Sequence, residues 1–342
     1  MRPIDIEKFL ELSEQHPVLD VRSPSEFLHA HLPGAISFPL FSDEERKVVG
    51  TTYKQESRER AIKVGLDFFG PKMRPLVEQA EEITSKYGSK TVLVHCWRGG
   101  MRSGGVAWLL NLYGLNVYTL AGGYKSFRRW ALSQFEKEYP LHLVGGYTGS
   151  GKTDLLATLK KKQEFVLDLE GLAHHKGSAF GNIGQPEQPS QEHFENNLAL
   201  TLYRIQQKDP TRIWVEDESQ RIGRVNIPQV LWQQVRRSPV YFLNIPFEKR
   251  LLYIIEGYGS LDKQRLAEAT DRIRKKLGDK NATEAIGFIQ KGQIAEAFDI
   301  LLRYYDKLYQ KSLYNREQAE SLIRVIESPD VQESNATLLL NR

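Results

Sequence analysis

Short apolar runs recur along this chain, each ending in polar or glycine-rich sequence, and longer amphipathic stretches alternate with them. Thr91-Val92-Leu93-Val94-His95 reads as a strand buried on both faces, and Leu141 to Val144 as the core of another. Further strands are expected at Glu164 to Glu170, at Arg212 to Val215 and at Val240 to Ile245, the last taken as the final parallel strand. Helical patterns follow at Ser103 to Leu110, Asp154 to Lys162 and Glu192 to Gln207, the last opened by Ser190-x-x-His193. From Glu248 onward the pattern is helical, with a basic helix over Asp262 to Leu277 and an aromatic-rich one over Ile294 to Leu313. Strands alternating with helices predict an α/β fold with parallel sheets and a helical C-terminal region. Phe298, Tyr304, Tyr305 and Tyr309 have the spacing of a buried helical face and are expected in the core.

One segment carries a ligand class with it. Gly146-Tyr147-Thr148-Gly149-Ser150-Gly151-Lys152-Thr153 lies between an apolar run and a helical pattern, the setting of a phosphate-binding loop. Its glycines let successive N–H groups point at one anion from a helix N-terminus. Lys152 would put a point charge on the outer phosphate, and the Thr153 hydroxyl would meet a bound magnesium. An acid at the end of a buried strand is where such proteins position that ion, which directs attention to Glu216, Asp217 and Glu218 after the strand at 212–215, and to Asp168. His174 to Gly181 is a polar loop, and Gly184 to Ser190, with two prolines, is a loop expected to close over a site. His174 and His175 have no third ligand at a recognisable spacing.

The phosphate loop starts well inside a 342-residue chain, so a separate domain precedes it. The expected division is 1–135, 136–246 and 247–342, the last packed on the second. With 40% hydrophobic and 26% charged residues the composition is that of a globular protein, and no apolar stretch reaches membrane-spanning length. One cysteine excludes an intrachain disulfide framework, and Met1-Arg2-Pro3-Ile4-Asp5 has no signal-peptide core, so a cytoplasmic protein is expected. A net charge of +4 permits a polyanionic partner. The insertion from Gly50 to Gln55 with its basic helical stretch, Arg58 to Lys63, is a solvated face or a contact for an RNA backbone.

The single cysteine follows a buried strand and opens Cys96-Trp97-Arg98-Gly99-Gly100-Met101-Arg102-Ser103. A strand feeding a glycine loop and then a helix cradles Cys96 in N–H groups. The helix dipole, Arg98 and Arg102 are all expected to favour the thiolate. Upstream stand Asp20-Val21-Arg22, Glu26-Phe27 and His31-Leu32-Pro33-Gly34-Ala35, with Ala121-Gly122-Gly123-Tyr124 downstream. Pro33-Gly34 makes a turn, and Asp20 with Arg22 reads as a structural ion pair.

Those landmarks resemble a rhodanese-type sulfurtransferase domain over roughly residues 1 to 135. Arg102 lies six residues after Cys96, a Cys-x5-Arg spacing that also matches phosphatases sharing that fold, whose longer loop encloses a phosphate. The whole chain resembles the tRNA 2-selenouridine synthase family, which also geranylates 2-thiouridine. That resemblance rests on His95 to Ser103, Gly145 to Thr153, Asp168-Leu169-Glu170-Gly171-Leu172-Ala173-His174-His175-Lys176-Gly177-Ser178, and Glu216 to Gly223. It implies a rhodanese-like domain followed by a P-loop NTPase-like domain, and a substrate tRNA with 2-thiouridine at the wobble position. Geranyl diphosphate and selenophosphate are the implied co-substrates, with no tightly bound cofactor, the magnesium at Thr153 remaining an option of the phosphate loop, and a selenophosphate-supplying enzyme is an implied partner. Cys96 would then act in selenium delivery with Arg98 and Arg102 on the selenophosphate, and Gly146, Gly149, Ser150, Gly151, Lys152 and Thr153 on the diphosphate. The competing reading is a sulfurtransferase or phosphatase fused to an ATP-dependent kinase-like domain.

Overall fold

The computed structural model describes residues 2–259 and 261–341. They form two compact units, Met1–Gln134 with Glu195–Leu200, and Phe135–Phe194 with Thr201–Arg342. The first unit is built on five strands: β1 (Arg2–Ile4), β2 (Val18–Asp20), β3 (Ile36–Ser37), β4 (Thr91–His95) and β5 (Asn116–Leu120). They pair in the order β1-β5-β4-β2-β3, all parallel. Parallel strands need crossovers that cover both faces, and so β4 is apolar along its centre, where Val92, Leu93 and Val94 are fully buried.

The expected insertion is a pair of packed helices, Asp43–Gln55 and Arg58–Phe69, with Gly50 to Gln55 inside the first. Ser42 and Glu45 make a capping box at its start. The second helix is not merely a solvated face. Ala61, Gly65 and Phe69 are buried, and Phe69 joins the core with Leu40, Phe41 and Leu110.

The second unit adds β6 (Leu141–Gly146), β7 (Val166–Leu167), β8 (Ile213–Glu216), β9 (Arg221–Ile222), β10 (Val225–Asn226), β11 (Val240–Asn244) and β12 (Ile323–Glu327). Five are parallel in the order β12-β11-β6-β8-β7, and β9 with β10 makes a small antiparallel ladder. Two expectations are corrected here. The strand expected over 164–170 shrinks to two residues, because Asp168 turns to accept from Gly171 N (2.7 Å) and caps a short helix, Leu169–Ala173. And β11 is not the last parallel strand. The C-terminal region returns to pair β12 with it, Val240 opposite Ile323 through Asn244 opposite Glu327.

The rest of that region is helical: Phe247–Tyr258, Lys263–Arg272, Arg274–Leu277, Asp279–Lys291 and Ile294–Tyr314. The expected basic helix is thus broken at Ile273, which leaves helical geometry. Leu266, Ile289, Phe298, Leu301 and Leu302 form a core of their own, while Trp214, Tyr241, Leu243 and Ile326 close the sheet against Leu155 and Leu159. Among the described residues no helix is long and apolar enough to cross a membrane.

Candidate active sites

Cys96 sits where β4 gives way to the helix Met101–Leu112. The loop between them is pinned to the first turn of the helix Gly123–Gln134, which follows β5: Tyr124 N donates to Cys96 O (2.8 Å) and Lys125 N to Trp97 O (2.9 Å). Gly123, with φ +59°, lies against this loop so closely that a Cβ would overlap Cys96 O and Gly99 N. Below the loop, Arg22 donates to Asp20 Oδ2 (2.6 Å) and Ala30 O (2.7 Å) and lies over the Tyr124 ring. Both partners are buried, so Asp20 and Arg22 form the structural pair the sequence suggested.

The thiol is buried, which works against its ionisation. The Ser103 hydroxyl 3.2 Å away and the N–H groups of Ser103, Arg98 and Gly100 outweigh that, and Cys96 is held below the ordinary thiol range. The arginines do not contribute as expected. Arg98 is exposed. Arg102 is engaged elsewhere, its Nη1 donating to Glu26 Oε2 (2.7 Å) and its Nη2 to Glu26 Oε1 (3.4 Å). Burial works against the Glu26 charge as well, but Arg102 and the Ser23 N–H hold that carboxyl low.

In the second unit β6 runs into the glycine loop, and the helix Lys152–Lys161 starts from it. Gly149 has φ +84°, and a Cβ there would lie 2.8 Å from Arg250 O, so both backbone and space demand glycine. Ser150 closes the turn by donating to Tyr147 O (2.7 Å). Lys152 Nζ folds back onto Gly146 O (2.9 Å), and Thr153 Oγ1 lies between Glu216 Oε1 (2.9 Å) and Glu170 Oε2 (3.1 Å). A cavity of about 440 Å³ opens over these groups. Its walls are the loop, Glu170, residues 176–178, residues 216–219, and parts of the helices Phe247–Tyr258 and Ile294–Tyr314.

The acids divide by role. Burial, then the charge of Glu218, pushes Glu216 up to about 8. Burial and Glu170 raise Glu218 to about 8, and burial and Glu216 raise Glu170 to about 7. Glu216 Oε2 is buried without a partner. An orphaned carboxylate oxygen beside a threonine hydroxyl fits a hard cation shared with a bound phosphate. Among the described residues no three His, Cys, Asp or Glu form a metal cage by themselves. Asp217 does other work, because Arg316 Nη2 (2.6 Å) and Tyr309 Oη (2.7 Å) both donate to its carboxylate. Asp168 is the helix cap already described.

Sequence reasoning missed four contributors. Glu170 stood inside the motif Asp168 to Ser178, and its position as the acid ending an expected strand was the available signal. Ser103 likewise stood next to Arg102. Tyr309, expected in the core, instead bridges the site, since its hydroxyl accepts from Gly146 N (3.1 Å) while donating to Asp217. Arg250 is buried and donates to Thr148 O (3.0 Å), Ile245 O (3.1 Å) and both oxygens of Asp306 (2.9 and 2.8 Å), tying the glycine loop to the long helix. His174 binds Glu187 O (2.8 Å) and His175 packs on Gly181.

Family models agree with both geometries. A rhodanese-like domain matches residues 5–129, and the tRNA 2-selenouridine synthase AAA domain matches residues 139–334. A tRNA 2-selenouridine synthase of Shewanella halifaxensis is 33% identical over 329 residues, spanning 86% of this chain and 88% of that one. Proteins of the same name from Nitrosomonas europaea and Sulfurovum sp. are 35% and 31% identical over 83% and 94% of this chain, and 73% and 94% of theirs. A cysteine loop of rhodanese type, a complete phosphate loop of the family's own AAA type, and relatives a third identical along most of their length together mean that the chain belongs to the tRNA 2-selenouridine synthase family of enzymes.

Proposed function

We propose that this protein converts 2-thiouridine at the tRNA wobble position to 2-selenouridine in two steps, S-geranylation and then replacement of the geranylated sulfur by selenium. The observation that carries the reading is the intact phosphate loop, with Lys152 and Thr153 at an open cavity in a chain that also holds a low-pKa cysteine in an N–H cradle.

Exchange at C2 is difficult directly, because a thiocarbonyl sulfur is a poor leaving group. Alkylation by geranyl diphosphate makes C2 electrophilic and turns the sulfur into a thiolate leaving group. In that step negative charge builds on the departing diphosphate as the allylic carbon–oxygen bond breaks. Lys152, released from Gly146 O, and the loop N–H groups meet the charge where it develops. A bound magnesium would be held by Thr153 and Glu216 and would supply further positive charge there.

In the second step a selenium nucleophile displaces the geranylated sulfur. Cys96, its ionisation favoured by Ser103 and the loop N–H groups, takes part in delivering selenium from selenophosphate. Arg98 is free to approach that anion, whereas Arg102 joins only by exchanging Glu26 for it.

Mass spectrometry of nucleosides from 2-thiouridine-containing tRNA tests the scheme. Geranyl diphosphate alone gives the S-geranyl nucleoside, and added selenophosphate gives 2-selenouridine. Cys96→Ala retains geranylation and loses selenation, and Lys152→Ala blocks geranylation. Unchanged tRNA in both reactions, with tRNA binding intact, would favour the kinase or sulfurtransferase reading.

A further inference from the structure

The polar lining of the phosphate-loop cavity comes from the loop, the acids and residues 176–178, while the remaining lining comes from two helices and is of another character. From Phe247–Tyr258 it takes Tyr253 and Ile254. From Ile294–Tyr314 it takes Tyr305, Leu308, Tyr309 and Ser312, positions i, i+3, i+4 and i+7 on one face. That stripe runs along about 10 Å of helix.

The apolar atoms reach the anion cradle itself. The place a Cβ would take on Gly149 is 2.9 Å from Ile254 Cγ1, and that on Gly151 is 3.8 Å from Tyr253 Cζ. The tyrosine hydroxyls already have partners: Tyr253 donates to Asp154 Oδ2 (2.6 Å), Tyr305 accepts from Ala179 N (3.3 Å), and Tyr309 bridges Gly146 and Asp217. What they present is ring surface. A sugar bonded to the phosphate would place its hydroxyls against carbon, whereas a hydrocarbon chain would be in contact with it from its first atom. Leu308 faces this cavity while 44% exposed, an aliphatic surface that an apolar ligand would cover.

We propose that Tyr253, Ile254, Tyr305 and Leu308 form a chain-binding trough beside the phosphate loop that selects a diphosphate esterified to an apolar chain over a nucleotide, with Leu308 determining the accepted chain. The inference rests on the reading above that a diphosphate occupies the loop, and it adds which side chains recognise the organic part. No covalent step is added. Leu308 is a specificity residue acting through contact area.

Equilibrium binding of three ligands to the full chain, inorganic pyrophosphate, geranyl diphosphate and ADP, separates the two claims. The wild type binds geranyl diphosphate at least about tenfold more tightly than pyrophosphate, since one methylene in an apolar pocket is already worth roughly tenfold. ADP gains nothing over pyrophosphate. Leu308→Asp, at an exposed position, removes most of the geranyl advantage, and Leu308→Met restores it. If pyrophosphate binds and geranyl diphosphate binds no better, or if Leu308→Asp keeps the whole advantage, the trough is wrong while the phosphate site stands. If pyrophosphate itself does not bind and Lys152→Ala changes nothing, the reading of the loop falls first and the trough with it.

Discussion

Replacing Tyr309 by Phe removes one oxygen and leaves the ring, so the apolar contacts with Tyr147 and Phe242 are unchanged. Two hydrogen bonds go with that oxygen. Asp217 loses one of its two donors and keeps Arg316, while Gly146 N loses its acceptor at the entrance to the glycine loop. A hydrogen bond to a charged group is worth about 1.5–3 kcal/mol, and a buried N–H left alone costs about 1–3 kcal/mol. The two share one atom and do not add fully, so a loss of about 3 kcal/mol is expected. For a unit of this size that lowers the melting temperature by roughly 6–12 °C. Calorimetry of both proteins, alone and with pyrophosphate, measures it. The same change loosens the loop, so the variant also gains a smaller thermal shift from saturating pyrophosphate. A variant that melts within a degree or two of the wild type and gains the same shift from pyrophosphate would refute the idea that the long helix holds the loop.

Other expectations follow from the same contacts. Asp306→Ala leaves the Arg250 guanidinium buried without its charge partner and should cost about 3 kcal/mol in denaturant titration, less than a fully buried pair because Asp306 is itself partly exposed. Glu170, Glu216 and Glu218 hold protons in the folded state that the unfolded chain releases near 4.5. Their contribution to stability is therefore complete below about 4.5 and is lost as pH rises to about 8, a fall on the order of a few kcal/mol spread over coupled titrations. Urea midpoints across that window check the sign, and Glu216→Gln should flatten the curve. Ser103→Ala removes a donor to the thiolate, so the ultraviolet titration of the Cys96 thiolate should move to higher pH, whereas Arg98→Ala should leave it in place. Gly123→Ala forces a Cβ into the backbone of the cysteine loop at positive φ and should destabilise the first unit by about 3 kcal/mol or more.

What the sequence disclosed about this protein was whatever is encoded over short range. The residues 146–153 had to be a phosphate loop because glycines, lysine and threonine stand at fixed offsets between a strand and a helix, and β4 was legible to the residue because its unbroken apolar run, Val92 to Val94, is what a doubly covered strand requires. The errors arose where distance along the chain separates partners. β12 looked like part of a helical region, since five alternating residues gain strand character only by pairing with β11, some eighty residues earlier. Arg102 was read as a free cation because Glu26 lies 76 residues upstream, and Tyr309 as core because its acceptor and donor are 92 and 163 residues away. These distant partners have a common consequence for function. Arg250 and Asp306 hold Thr148, Tyr309 holds Gly146, and Arg316 holds Asp217, so the geometry of the glycine loop is set by the region that follows it as much as by its own sequence. A truncation before residue 294 would retain every motif residue of the phosphate loop and lose its supports, and diphosphate affinity should fall with the motif intact.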